Sequence, residues 1–126
     1  MRLLLDTNIV IRLKQDERRI DRTTRHITES AAVVYVCAAS IWEISIKASA
    51  RELAIDLERL DAGLLEAGIK PLSITWTHAR RAHNVALSHA DPFDRLLLAQ
   101  ADCEPLHLLT SDKRLAQYSS ELVIVA

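Results

Sequence analysis

Four acidic residues stand shortly after apolar runs or at predicted helix starts, and their chemistry is the first question that the sequence raises. They are Asp6, Glu43, Asp94 and Asp112. Carboxylates without neighbouring Cys, and without His at ligand spacing, favour hard cations such as Mg²⁺ or Mn²⁺ over zinc. A pair of such ions can activate water and stabilise the leaving oxygen of an in-line phosphoryl displacement. If the four acids meet at one site, they favour a metal centre that hydrolyses phosphodiester bonds.

Each of these acids also has a simpler interpretation as a helix cap. Ser40 and Glu43 fit the capping box, and Asp91 before Pro92 has the pattern of an N-cap. The first and last of the four acids could be caps in the same way. Their recurrence at one predicted edge of a sheet favours a metal site, and on the residues alone both interpretations stay open.

Short apolar runs alternate with longer amphipathic stretches along the chain, as buried parallel strands alternate with helices. The predicted strands are Arg2–Leu5, Val33–Ala38, Ile69–Ile74, Leu106–Leu109 and Leu122–Val125. Helices are predicted over 8–14, 17–30, 41–50, 56–68, 77–88, 92–103 and 112–118. This alternation predicts a parallel sheet with helices on both sides, whose ligands bind at the carboxyl ends of the strands. Asp94 follows no strand directly, so its place at that edge is inferred.

The composition sets the class of protein. The chain has 126 residues, enough for a single domain over 1–126, and its 49% hydrophobic and 26% charged residues exclude disordered and collagen-like classes. Only two Gly and three Pro argue against sandwiches and propellers. No apolar run reaches the length of a membrane span, so we expect a cytoplasmic protein with no membrane partner, and Cys37 and Cys103 should be reduced.

Four blocks of sequence carry a resemblance to a known family. They are MRLLLDTN at 1–8, SIWEISIK at 40–47, HADPFDRLLLAQA at 89–101 and LLTSDKRLAQY at 108–118. In this order and spacing they resemble the PIN-domain ribonucleases, and within them the small VapC-like toxins of type II toxin–antitoxin modules. The resemblance extends over essentially the whole chain.

The resemblance implies a three-layer α/β/α sandwich around a five-stranded parallel sheet, and cleavage of RNA with Mg²⁺ or Mn²⁺. The residues that it implies as catalytic metal ligands are Asp6, Glu43, Asp94 and Asp112, the last supporting a second ion. Four neighbours are expected to support the site: Asn8, Asp91, Thr110 and Ser111. Asn8 can orient a ligand, and the hydroxyls of Thr110 and Ser111 could hydrogen-bond a water on the metal. For Asp91, a role as helix N-cap is enough to explain its place in the motif.

Partners follow from the same resemblance. We expect a cognate antitoxin whose C-terminal segment covers the acidic site, commonly with a basic residue. We also expect a homodimer or a toxin–antitoxin hetero-oligomer. The RNA substrate could be transfer, ribosomal or messenger RNA.

Two positions depart from the family pattern. Asn8 stands where many relatives have His, and Asn does not titrate near neutral pH. Arg51, with Glu52 and Leu53 after it, occupies a turn that is often Gly-Lys-Leu in relatives, so we expect the local turn to differ. Neither departure changes an acid.

Other residues have competing interpretations. Four basic residues could contact RNA phosphates or lie on solvated faces: Arg12, Lys14, Lys47 and Arg51. Arg95 is interpreted as an ion-pair partner within its motif. Trp42 and Trp76 are expected to be core or interface anchors, with Trp42 holding the helix of Glu43 against the sheet. Five aromatic residues are few for a base-stacking platform.

Three functions are compared. The leading one is a metal-dependent endoribonuclease that acts as a toxin, and the alternative is a catalytically inactive PIN-like module that binds protein or RNA. An acid-pocket phosphatase with Asp6 as nucleophile lacks a second Asp two residues later, where Asn8 stands. The formal net charge is −1, but without the four site acids the 16 basic residues exceed the remaining acids by three. This predicts weak, salt-sensitive and metal-dependent RNA binding.

Overall fold

The computed structural model describes residues 1–15, 21–87 and 90–126. Within them, five parallel strands form one sheet in the order β3-β2-β1-β4-β5: β1 Arg2–Leu5, β2 Val33–Cys37, β3 Lys70–Leu72, β4 His107–Thr110 and β5 Val123–Val125. The α-helices are α1 Thr7–Gln15, α2 Arg22–Ser30, α3 Ala38–Ser49, α4 Leu57–Glu66, α5 Trp76–Arg81 and α6 Pro92–Cys103. Short 3₁₀ turns cover Ala82–Asn84 and Lys113–Gln117.

The central strand shows why the sheet has helices on both faces. Leu3, Leu4 and Leu5 are fully buried, because successive side chains of a strand point to opposite faces and both faces are covered. Leu4 packs with α6 on one side, whereas Leu3 and Leu5 pack with α1, α3 and α4 on the other. The predicted α/β/α sandwich with a five-stranded parallel sheet is confirmed.

The strand order places a topological switch point at β1. From β1 the chain passes to β2 and β3 on one side of the sheet, and it later returns to β4 and β5 on the other. Ligands of open parallel sheets bind outside the carboxyl ends of the strands at such a point. The segments that follow β1, β2 and β4 therefore form the natural place for a site.

Several helices differ from their predicted bounds. α3 begins at Ala38, directly after β2, and not at residue 41. The helix predicted over 77–88 ends as α5 at Arg81 and continues only as a 3₁₀ turn, after which Val85 and Leu87 turn into the core. The predicted helix 112–118 is a 3₁₀ turn, and that over 17–30 begins at Arg22, with residues 17–20 outside the described ranges.

The remaining expectations about class concern cysteines and membranes. Cys37 and Cys103 are both free, as expected, with Cys37 buried and Cys103 half-buried. None of the helices in the described ranges combines the length and the apolar character needed to cross a bilayer.

Candidate active site

Asp6 lies at the carboxyl end of β1, where the chain turns directly into α1. Its side chain is only 4% exposed and accepts two hydrogen bonds, from the Thr7 backbone N at 2.7 Å and from Thr110 Oγ1 at 2.6 Å. Burial raises the pKa of Asp6, and the charges of Glu43 and Asp112 raise it further, whereas the two hydrogen bonds lower it. Asp6 is therefore a buried, rigidly held carboxyl that feels two other acids.

A set of hydroxyl groups fixes Asp6, and sequence reasoning recognised only part of it. Thr110 at the end of β4 donates to Asp6 and also accepts from the Asp112 backbone N at 3.0 Å. On the other side, Thr7 Oγ1 donates to Ser40 Oγ at 3.0 Å, which joins the starts of α1 and α3. Thr7 and Ser40 were missed as supporting residues, although both lie buried within three residues of an acid.

Glu43 is positioned by the early start of α3. The predicted capping box of Ser40 and Glu43 is wrong: the N-cap is Cys37, whose Sγ accepts from the Ala39 backbone N at 3.2 Å, and Ser40 lies inside the first turn. Glu43 Oε2 lies 3.2 Å from Lys47 Nζ, one turn later on the helix. Glu43 thus owes its place to the short β2–α3 junction and not to a cap.

Asp94 lies in the first turn of α6. The predicted N-cap is confirmed, because Asp91 Oδ1 accepts from the Asp94 backbone N at 2.8 Å and Pro92 begins the helix. Burial, and then the charges of Asp6, Asp91 and Glu43, raise the pKa of Asp94 to about 7. The position inferred for Asp94 from the sequence agrees with this electrostatic coupling: it lies near enough to Asp6 and Glu43 to feel their charges.

Asp112 follows β4 and starts the 3₁₀ turn Lys113–Gln117. Its Oδ1 accepts from the Arg114 backbone N at 3.0 Å, and its two oxygens receive Arg114 Nε at 3.1 Å and Nη2 at 2.9 Å. This is a fork of two parallel hydrogen bonds, the strongest form of an Arg–carboxylate pair. Ser111, beside it, is half-buried.

The four acids are coupled electrostatically, and the oxygens of Asp6, Glu43 and Asp112 face donors of the chain itself. Hydroxyl and amide groups engage Asp6, Lys47 engages Glu43 and Arg114 engages Asp112. In residues 1–15, 21–87 and 90–126, no group of three or more Asp, Glu, His or Cys side chains is arranged to hold a metal ion. The metal-binding role of the four acids therefore stays a prediction.

The chemistry of the donor set nevertheless fits a hard divalent cation. All four candidate ligands are carboxylates, which Mg²⁺ and Mn²⁺ prefer, and their mutual repulsion is what a cation relieves. Burial is the main cause that raises the pKa of Asp6 and of Asp94, and repulsion by the other acids raises both further. Lys47 and Arg114 each form an ion pair with one of these carboxylates, Glu43 and Asp112 respectively.

The other predicted residues are spread over the molecule. Asn8 is exposed in the first turn of α1, two residues from Asp6. Lys47 lies at the site because it forms an ion pair with Glu43, and Arg51 is exposed beyond the end of α3. Lys14, near the end of α1, packs against Gly63 of α4 and lines a cavity at the amino ends of the strands, away from the acids. Arg12 lies near Asp21.

Three structural expectations are corrected. Arg95 is not an ion-pair partner in the described ranges: its guanidinium donates to three backbone carbonyls, those of Ala90 at 3.2 Å, Leu87 at 2.9 Å and Val85. Trp42 does not anchor α3 to the sheet, because its side chain is 62% exposed and contacts Phe93 of α6. Trp76 is 89% exposed and is no core anchor either.

Comparison with known proteins decides the family. Residues 3–121 match the family model described as PIN domain. The chain belongs to the PIN-domain family. The resemblance predicted from the four sequence blocks is thereby confirmed. PIN domains are generally nucleases and generally use divalent metal ions, in agreement with the carboxylate-rich edge of this sheet.

Solved structures share this PIN-domain fold over nearly the whole chain. A toxin–antitoxin complex from Klebsiella pneumoniae matches with a TM-score of 0.72 and 19% identity, covering 98% of this chain and 96% of that one. VapBC2 from Rickettsia felis, bound to a DNA fragment from their promoter, matches with a TM-score of 0.73 and 11% identity, covering 99% of this chain and 98% of that one. FitAcB from Neisseria gonorrhoeae matches with a TM-score of 0.66 and 21% identity, covering 97% of this chain and 96% of that one. No curated protein matches the sequence.

Proposed function

We propose that this PIN domain is a metal-dependent endoribonuclease and the toxin of a type II toxin–antitoxin pair, acting in the cytoplasm. One observation carries the proposal: acids that are far apart in sequence feel one another's charge at the switch point of the sheet. The pKa of Asp94 is raised by Asp6 and Glu43, and that of Asp6 by Glu43 and Asp112. Such an arrangement costs stability, so a role in function is the simplest reason for it.

The residues divide into ligands and positioning groups. Asp6, Glu43 and Asp94 would hold a Mg²⁺ or Mn²⁺ ion, with Asp112 assisting. A bound ion of this kind supplies Lewis acidity toward the phosphodiester and lowers the pKa of water. Thr110 fixes both Asp6 and the backbone before Asp112, and Asp91 fixes the start of α6. The chain itself thus sets the geometry of its carboxylates before any ligand arrives.

Support for an antitoxin partner comes from the solved neighbours. One similar fold was determined as a toxin–antitoxin complex from Klebsiella pneumoniae. Two others are VapBC2 from Rickettsia felis, bound to a DNA fragment from their promoter, and FitAcB from Neisseria gonorrhoeae. We infer that this chain also has a cognate antitoxin, and that it assembles as a homodimer or as a toxin–antitoxin hetero-oligomer. Co-expression with the product of the neighbouring reading frame, followed by co-purification and a cleavage assay, tests this. A neighbour that neither binds nor inhibits would contradict it.

The nuclease itself is tested with purified protein and single-stranded RNA in Mg²⁺, Mn²⁺ or EDTA. We expect cleavage with either metal, none in EDTA, and none for Asp6→Asn. Asn retains an oxygen for the Thr7 backbone N, so circular dichroism and urea unfolding should show a folded variant. Cleavage by a folded Asp6→Asn protein would refute the mechanism. A parent chain that binds RNA but never cleaves it would support the alternative of an inactive binding module.

A further inference from the structure

Two aromatic residues directly precede two of the acids in the sequence, on helices α3 and α6. Trp42 precedes Glu43 on α3, and Phe93 precedes Asp94 on α6. Their ring centroids are 5.5 Å apart with an interplanar angle of 62°, an edge-to-face contact. We call these two rings the aromatic pair. Its place next to the acids is supported by the electrostatic coupling of Glu43 and Asp94.

The two rings of the aromatic pair have different surroundings. Phe93 is half-buried and packs against the core on the α6 side of the sheet. Trp42 is 62% exposed, and its edge-to-face contact with Phe93 orients the indole and leaves most of it uncovered. Folding therefore gains little from Trp42, because most of its apolar surface stays in water. A large ring that is oriented and left uncovered beside a catalytic site is suited to bind a flat ligand.

We propose that the aromatic pair is a stacking site for one unpaired nucleobase of the RNA, with Trp42 as the stacking surface and Phe93 as its support. The inference rests on the proposed ribonuclease function. A strand that brings a phosphodiester to Asp6, Glu43 and Asp94 carries bases on either side of it, and Trp42 is the exposed ring next to these acids. Stacking on an indole accepts any base, but it requires a base that is not paired in a duplex.

The same helix offers a way to separate a base from a protein partner. Ile46, one turn after Trp42 on α3, is 44% exposed. A protein that covered this face of α3 would bury both side chains, since residues four apart lie on one face of a helix. A single stacked base needs Trp42 alone. Ile46→Ala is therefore a control for the alternative occupant.

Trp76 provides a control of matched residue type. It is 89% exposed at the start of α5. Two residues later, His78 Nε2 lies 2.6 Å from Glu104 Oε1, just beyond the end of α6. Glu104 is ten residues, or about 15 Å of helix, from Asp94. Removing Trp76 deletes the same side chain at a place remote from the acids.

The first experiment reads stacking directly by tryptophan fluorescence in EDTA, where a metal-dependent nuclease leaves RNA intact. Low salt and an excess of RNA compensate for the weaker RNA binding expected without metal. In Trp76→Phe the emission comes from Trp42 alone, and in Trp42→Phe from Trp76 alone. Single-stranded RNA of random sequence should quench Trp42 and leave Trp76 unchanged. Inorganic polyphosphate, which has the charge but no bases, and duplex RNA should not quench Trp42. Absence of quenching of Trp42 at saturating single-stranded RNA would overturn the proposal.

The second experiment measures affinity and kinetics. Trp42→Ala should bind single-stranded RNA about 5- to 150-fold more weakly, as for the loss of one stacked base. It should raise KM and leave kcat near the parent value, because stacking binds substrate and transition state alike. Trp42→Tyr should retain most of the affinity, whereas Trp76→Ala and Ile46→Ala should match the parent. The exposure of Trp42 means that these variants should fold, which melting curves verify.

The outcomes separate this inference from the proposed function. Unchanged RNA affinity and KM in a cleaving Trp42→Ala protein overturn the stacking site and leave the nuclease standing. Equal losses of RNA affinity in Trp42→Ala and Ile46→Ala would assign this face of α3 to a protein and overturn the proposal. The same holds if Trp42→Ala loses a protein partner and keeps its RNA affinity. A parent chain that does not cleave RNA with Mg²⁺ or Mn²⁺ refutes the proposed function, and the fluorescence result still decides on stacking.

Discussion

Replacing Asp94 by Asn tests the electrostatic account of the acidic site. Burial and the charges of Asp6, Asp91 and Glu43 raise the pKa of Asp94 to about 7, so the ionised carboxylate is held at a cost in folding free energy. Asn has nearly the same shape and cannot ionise. We expect Asp94→Asn to abolish cleavage and yet to make the metal-free protein more stable above neutral pH.

The size of the gain follows from the pKa. A rise from 3.8 to about 7 corresponds to about 4 kcal/mol at 1.36 kcal/mol per pKa unit. Asp94 is only half-buried, so solvent screening reduces this to about 2 kcal/mol. Loss of a negative charge in the first turn of α6 subtracts roughly 0.5 kcal/mol, because the helix N-terminus favours anions. The net gain expected for the variant is about 1.5 kcal/mol at pH 8.

The sign of the pH dependence is also determined. The folded pKa of Asp94 lies above its value of 3.8 in the unfolded chain, so the unfolded chain loses this proton first as pH rises. The contribution of Asp94 to stability therefore declines from pH 4 upward and is fully lost once the pH passes about 7. The stability curves of parent and variant should come together below pH 4 and separate toward pH 8.

Urea unfolding in EDTA between pH 3.5 and 8 measures this separation, with Asp61→Asn on α4, an exposed acid, as the control that should not change stability. Added Mn²⁺ should reverse the order of stability, since binding to the parent contributes about 2.7 kcal/mol at 100 times the Kd. An Asp94→Asn protein that is less stable than the parent at pH 8 in EDTA, or a separation independent of pH, would refute the reasoning.

Three further substitutions test the supports of the site. Arg51→Gly should stabilise the chain by about 1 kcal/mol in urea unfolding, because Arg51 has a left-handed φ of 59° after α3. Unchanged RNA cleavage by this variant would exclude Arg51 as a phosphate contact. Thr110→Val should lower the free energy of unfolding by about 2–4 kcal/mol, because Asp6 loses a hydrogen-bond donor and the Asp112 backbone N loses an acceptor. Thr110→Ser should retain most of the stability, and an equal loss of stability in the two variants would contradict this. Arg95→Met should cost about 2–4 kcal/mol and speed amide exchange at 85–87, and unchanged exchange would show that the carbonyl contacts are dispensable.

The turn after α3 has a backbone conformation that the sequence did not predict. Arg51 stands where Gly is often found in relatives, and the expectation that the local turn differs from theirs stays a prediction. Arg51 adopts a left-handed conformation, and its neighbour Glu52 donates from its backbone N to the Lys47 carbonyl at 2.9 Å. A helix end of this kind is set by backbone hydrogen bonds, and a non-glycine residue can take it at a cost.

Helix ends in general were the least predictable feature. The start of α3 was misplaced because the Ser40–Glu43 pattern is a valid capping box in isolation. In the folded chain, Cys37 caps the helix and Ser40 is buried against Thr7, a contact between residues 33 positions apart. By contrast, the Asp91–Pro92 start of α6 was predicted correctly, because both of its signals are local.

By itself the sequence determined where five strands lie along the chain, the two-sided burial of β1, and the four candidate acids, because apolar period and local caps are properties of neighbouring residues. Only the tertiary structure decided what those acids face. The strand order brings Thr110 to Asp6 and Glu43 to Asp94, and it leaves Trp42 exposed against Phe93. These are contacts between distant segments, whose burial and charge exist only once the sheet has brought them together.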